Sequence, residues 1–165
     1  LYEAFGTGLV VPDTGIVLHN RGALFSTDRE HPNFLEPSKR PYNTIIPGMI
    51  TRSKNLVSSF GVMGGFQQPQ GHLQVVSNMI DFGMNPQEAL DSSRFRINLE
   101  DRKTYVEDSF DQALISGLRS KGHSISELSG VNRDFFGGGQ IININEEGML
   151  IGGSDPRKDG LSVSY

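Results

Sequence analysis

The sequence predicts an α+β fold, a layered sandwich rather than a repeating βαβ sheet, and three observations carry that expectation. Short apolar runs come first, two or three helical stretches follow, and strands close the chain. Twenty glycines in 165 residues signal many tight turns and close backbone approaches. The C-terminal stretch alternates cleanly: Ile142 and Ile144 fall on one face and Ile141, Asn143 and Asn145 on the other, and Glu146-Glu147-Gly148 predicts a hairpin into residues 149–152.

The elements follow in order. Leu9-Val10-Val11 and Ile16-Val17-Leu18 flank the turn residues Pro12-Asp13-Thr14-Gly15, which predicts two connected strands. Residues 20–47 shift to Pro, Asn, Ser and charge and predict a long surface loop, a kind of segment that is often functional. Residues 56–62 predict a strand that runs into Met63-Gly64-Gly65. After these glycines, Leu73, Val76, Ile80 and, from the next turn, Met84 keep helical spacing, with Pro69 tolerated near the first turn and Gly83 as the stop.

A second helix opens at Pro86 with Asn85 as its N-cap. Residues 104–107 predict a strand, and residues 111–121 a third helix that buries Leu114, Ile115 and Leu118 and stops at Gly122. Residues 125–128 predict another strand. Gly137-Gly138-Gly139 lacks the Gly-Lys-Ser/Thr ending of a phosphate loop and precedes a strand, so it reads as a mobile turn before Gln140.

Composition narrows the function classes. One domain spanning residues 1–165 is expected, and a chain this size can remove about 70% of its unfolded surface from water. The formal charge of -4 argues against a polyanion-binding surface, so no nucleic-acid partner is expected. With no cysteine there is no disulfide, thiolate metal site or Cys nucleophile. His19, His31, His72 and His123 share no ligand spacing, so neither a metal nor a cofactor is expected. No apolar run reaches the ~18 residues of a membrane span. The start, inside an apparent strand and without Met, reads as that of a fragment or processed product. The compartment and oligomeric state stay open, with the cytoplasm favoured and a homo-oligomer allowed for.

Four collinear segments carry a resemblance. Phe5-Gly6-Thr7-Gly8 with Thr14-Gly15-Ile16, Lys39-Arg40-Pro41 with Pro47, Gly61-Val62-Met63-Gly64-Gly65, and Gly152-Gly153-Ser154-Asp155-Pro156-Arg157-Lys158-Asp159-Gly160 resemble the small subunit of γ-glutamyltransferases and their cephalosporin acylase-like relatives. Between them, residues 82–89 and Ser93-Arg94-Phe95 sit where that family has a helix pair and a following turn. The resemblance implies the four-layer αββα sandwich of the N-terminal-nucleophile hydrolases. It also implies self-cleavage of a precursor, after which a new N-terminal Thr attacks the substrate with its own α-amine as base. The family places that Thr upstream of the Phe5-Gly6-Thr7-Gly8 turn, so the nucleophile is expected ahead of these residues. The partner implied is the large subunit or N-terminal segment of the same precursor, and residues 1–165 alone are expected to be inactive.

The resemblance assigns roles residue by residue. Gly64 and Gly65 match the glycine pair whose amides form the family's oxyanion hole. Arg21 falls where true γ-glutamyl enzymes hold the substrate amine, and Leu24 replaces the acidic residue that follows. Asn43 and Thr44 fall at a Ser-Ser pair that contacts the glutamyl carboxylate, and Tyr2 replaces a substrate-contacting Asn. A guanidinium does not bind an ammonium but suits a carboxylate or oxamate-like group, so the γ-glutamyl pocket is not reproduced.

For Gln67-Gln68-Pro69-Gln70-Gly71-His72 two readings stand: the polar side chains line the site, or they satisfy first-turn amides. Asp155-Pro156-Arg157 reads as a structural turn in which Arg157 pairs with a carboxylate. The functional expectation is an amidohydrolase or acyltransferase acting on a small amide. The alternatives are a noncatalytic scaffold or binding member of the same fold, and a cephalosporin or glutaryl acylase, which needs a larger apolar pocket.

Overall fold

The computed structural model describes residues 1–3 and 5–164, and the chain divides into two compact units, Leu1–Ile45 and Ile46–Tyr165. In the first unit the predicted strand pair is reduced to a single antiparallel bridge, Val10 to Val17, flanked by Val11 N–H to Ile16 O at 2.8 Å and Leu18 N–H to Leu9 O at 2.9 Å. Thr14 holds the turn, its hydroxyl donating to Val11 O and accepting from Ile16 N–H. The predicted long loop is largely irregular, broken by one 3-10 turn, Arg21–Leu24, and a parallel bridge from Ser26 to Phe34.

Among its described residues the second unit holds two sheets and three α-helices. Strands β1 (Gly48–Arg52), β2 (Asn55–Met63), β6 (Gly138–Ile144) and β7 (Leu150–Ser154) form a four-stranded antiparallel sheet in that order. Strands β3 (Phe95–Asn98), β4 (Lys103–Glu107) and β5 (Ile125–Leu128) form a smaller mixed sheet. Helices α1 (Gln68–Ile80) and α2 (Pro86–Asp91) pack on one face of the larger sheet, and α3 (Gln112–Ser120) contacts β5. Phe60 and Val62 from β2, Val75 from α1, Ala89 and Leu90 from α2 and Ile141 from β6 make the core. The opposite face of the larger sheet leaves Met49, Met63 and Ile142 exposed.

The predicted first helix forms, with Leu73 66% exposed and Val75 fully buried, while two other expectations, on α3 and at the glycine run, need correcting. The stripe that packs is the one flanking Gly71, where an added Cβ would come within 2.8 Å of Val62 Cγ1, so the missing side chain lets α1 approach the sheet. On α3, Ile115 is buried but Leu114 is exposed. The Gly137-Gly138-Gly139 run is not a mobile turn, because Gly138 and Gly139 are buried and open β6 against Met63 and Val62.

Asn85 does cap α2. Its Oδ1 accepts from Glu88 N–H at 3.0 Å while Glu88 Oε2 accepts from Asn85 N–H at 2.9 Å, a reciprocal capping box. The predicted hairpin closes through Asn145 N–H to Met149 O at 3.0 Å.

Candidate active site

The end of β2 is where the candidate chemistry gathers. Pairing with β6 persists to Met63 opposite Gly138, and then Gly64 adopts φ 143° and Gly65 φ 60°, conformations that a side chain rarely allows. These two residues turn the strand into a single 3-10 turn, Gly65–Gln67, that leads into α1. Gln67 N–H closes the turn on Gly64 O at 3.1 Å. The N–H groups of Gly64 and Gly65 donate to no other described residue. Consecutive free amides at the head of a helix are suited to holding a negative oxygen. Beside them lies a trough of about 290 Å³ lined by Pro47, Gly61, Met63, Gly138 and Gln140.

Two networks lie near this turn. In the first, glutamines on one face of α1 grip the free edge of β3. Gln74 is bidentate to Phe95, accepting from its N–H at 2.9 Å and donating to its O at 3.0 Å, and Gln70 does the same to Ile97 at 2.8 and 3.0 Å. Gln67 Nε2 adds a second bond to Phe95 O at 3.2 Å. Neither earlier reading of the glutamines describes this: the amide side chains serve as a substitute strand partner. The i, i+3, i+7 spacing of Gln67, Gln70 and Gln74 was the available signal.

The second network is a buried ion cluster. Asp155 Oδ2 accepts from Gly139 N–H at 2.7 Å and pairs with Arg94 Nη2 at 2.7 Å, while its Oδ1 accepts from Arg157 N–H at 2.9 Å and Nη1 at 3.1 Å. Arg157 also grips Glu107, and donates to Leu90 O at 2.7 Å and Ser92 O at 2.9 Å. Arg133 Nε adds a bond to Glu107 Oε1 at 2.8 Å, and Arg94 N–H one to Oε2 at 2.7 Å.

Burial pushes the Glu107 carboxyl up, but the hydrogen bonds from Arg157, Arg133 and the Arg94 backbone outweigh it and hold it below its ordinary value. Burial lowers the Arg94 guanidinium. For Arg157 burial acts the same way, yet Glu107 and Asp155 carry it above its ordinary value. The turn around Asp155-Pro156-Arg157 is therefore structural in geometry, with two carboxylates rather than one for Arg157.

In the first unit three of the four candidate substrate residues meet. The Arg21 guanidinium donates to Thr44 Oγ1 and lies over the Tyr2 ring, 5.2 Å from its centroid. Arg21 Nε is buried without a partner among the described residues. Asn43 is exposed and turns its Oδ1 to Ile45 N–H at 3.2 Å. His72 packs edge-on against Phe60 at 5.1 Å, and burial lowers its pKa, which favours the neutral imidazole. Among the described residues no three His, Cys, Asp or Glu side chains converge as metal ligands. No described helix is long and apolar enough to cross a membrane.

The family model for gamma-glutamyltranspeptidase matches residues 1–165. The chain belongs to that family. It is 38% identical over 167 residues to the glutathione hydrolase-like YwrD proenzyme of Bacillus subtilis, covering 99% of this chain and 32% of that protein. It is 34% identical over 169 residues to the oxamate amidohydrolase proenzyme of Klebsiella pneumoniae, covering 100% of this chain and 32% of that protein. The crystal structure of cephalosporin acylase from Bacillus halodurans superposes with a TM-score of 0.91 at 46% identity, covering 99% of this chain and 30% of that one. The chain thus has the α+β fold of the N-terminal-nucleophile hydrolases and spans about a third of the length of these relatives.

Proposed function

We propose that these residues are the pocket-bearing portion of an N-terminal-nucleophile amidohydrolase or acyltransferase that cleaves a small amide through an acyl-enzyme. The observation that carries this reading is the pair of Gly64 and Gly65 amides, unpaired among the described residues, at the end of a core strand. In the proposed reaction a threonine ahead of Leu1 attacks the amide carbonyl and its α-amine takes the hydroxyl proton. The oxygen that becomes negative is stabilised by the two glycine amides. Collapse expels the amine with that proton and leaves an ester, which water or a second amine then opens. The proposed partner is the rest of the precursor, covering the sheet face where Met49, Met63 and Ile142 are exposed.

The acyl group favoured is one that bears a carboxylate and lacks an α-ammonium, since Arg21 offers a buried N–H, without a partner among the described residues, beside Tyr2 and Thr44. The name of the oxamate amidohydrolase relative supports a donor of this kind, oxamate itself. The test is to incubate the intact protein with a glutaryl anilide, quench within the first turnovers and map the peptides by mass. An acyl adduct on a threonine ahead of Leu1 is expected. Turnover with the adduct on a residue of this chain, or with none, would overturn the reading.

A further inference from the structure

We infer that Gln67 is a positioning residue for the Gly64–Gly65 turn, a conclusion that rests on the oxyanion reading above. Gln67 is fully buried although it follows the glycines by two residues. Three contacts tie it to the turn and to what lies behind. Its N–H bonds Gly64 O at 3.1 Å, and its Nε2 bonds Phe95 O at 3.2 Å. Its Cβ and Cγ lie 3.2 and 3.6 Å from where a Gly64 side chain would begin, with Gly137 Cα at 3.2 Å on the other side. Gly64 is thus held between Gln67 and the residue that precedes β6.

The remaining amide atom, Oε1, is buried with no partner among the described residues. A buried acceptor left without a hydrogen bond is destabilising. An apolar residue of the same length would avoid that cost at a site that only needed filling. A glutamine here therefore points to a requirement for the Nε2 bond, which fixes the side chain, and through it the turn, to β3. Displacing a reacting group by about 1 Å can cost about a hundredfold in rate.

Gln70 provides the control, because it makes the bidentate grip on Ile97 but does not touch the glycines. The experiment compares Gln67→Met and Gln70→Met in the intact enzyme, measuring kcat, KM, thermal midpoint and affinity for a phosphonate analogue whose anionic oxygen mimics the tetrahedral intermediate. For Gln67→Met the expected result is a 10- to 100-fold fall in kcat, a KM within twofold of wild type, and a matching loss of phosphonate affinity. Gln70→Met is expected to lower the midpoint while leaving kcat within twofold.

Equal loss of kcat in both variants, or none in Gln67→Met, would overturn the positioning role. A wild-type enzyme that turns over the amide but binds the phosphonate no better than the product acid would instead sink the oxyanion reading on which this one rests.

Discussion

Arg157 and Glu107, fifty residues apart in sequence, meet side by side in the interior, with Nε donating to Oε1 at 2.7 Å and Nη2 to Oε2. Both side chains are almost wholly excluded from solvent. Arg157 reaches Asp155 as well, and Asp155 holds the Gly139 N–H, so one charged group links the end of β4 to the start of β6. Gly139 pairs with Val62, two residues before Gly64. The ion cluster therefore fixes the strand that ends in the candidate oxyanion turn.

Removing one partner of a buried pair leaves the other charged and unsatisfied, which typically costs about 3–5 kcal/mol. Arg157→Met is expected to lose stability in that range, read by chemical denaturation of the intact protein. A loss below about 1 kcal/mol would mean that the pair is not buried in solution.

Acid should weaken the same contact. A carboxyl whose folded pKa lies below its unfolded value stabilises the fold above that unfolded value, about 4.3 for Glu. The contribution disappears as pH falls from there through the folded value. Glu107 is held in that direction, so the thermal midpoint of wild type should fall more steeply below pH 4.5 than that of Glu107→Gln. Parallel curves for the two proteins would contradict the assignment.

Gly153 of β7 abuts the start of α2, where a Cβ would meet Pro86 C at 2.8 Å and Pro86 O at 2.9 Å. Backbone cannot step aside as a side chain can. Gly153→Ala is expected to destabilise the fold by about 1–3 kcal/mol. An unchanged denaturation midpoint would show that α2 does not sit against β7 as described.

Arg21 yields a specificity prediction. A charged hydrogen bond to a substrate carboxylate is worth about 1.5–3 kcal/mol, which corresponds to roughly a 10- to 100-fold change in kcat/KM. Arg21→Gln should show that loss toward a glutaryl anilide and little change toward a neutral acyl anilide. A wild type that prefers the γ-glutamyl anilide, with no change on mutation, would remove Arg21 from the pocket.

The parts legible in the sequence were those set by local chemistry. Asn85-Pro86-Gln87-Glu88 specifies its own cap, and a glycine pair after an apolar strand specifies a sharp exit. β1 was missed because Gly48-Met49-Ile50-Thr51-Arg52 follows the proline-rich stretch with little of its own apolar pattern. β3 was missed because half of its pairing comes from glutamines on α1.

On α1 the spacing of Leu73 and Ile80 was as helical as that of the buried stripe, and periodicity alone does not say which stripe meets the sheet. The contact at Gly71 decides it. Similarly, nothing local marks Arg94 and Glu107 for burial, because their partners lie far along the chain.

The amides of Gly64 and Gly65 are proposed to receive the negative oxygen of the reacting carbonyl. The most direct measurement of that role is a crystal structure of the intact, processed enzyme trapped with an acyl phosphonate on its nucleophile. One phosphonyl oxygen is expected within about 2.7–3.1 Å of both glycine nitrogens, the distance at which such donors act. An adduct whose oxygens are all held by other groups, with both glycine amides still unpaired or bonded to protein, would contradict that role.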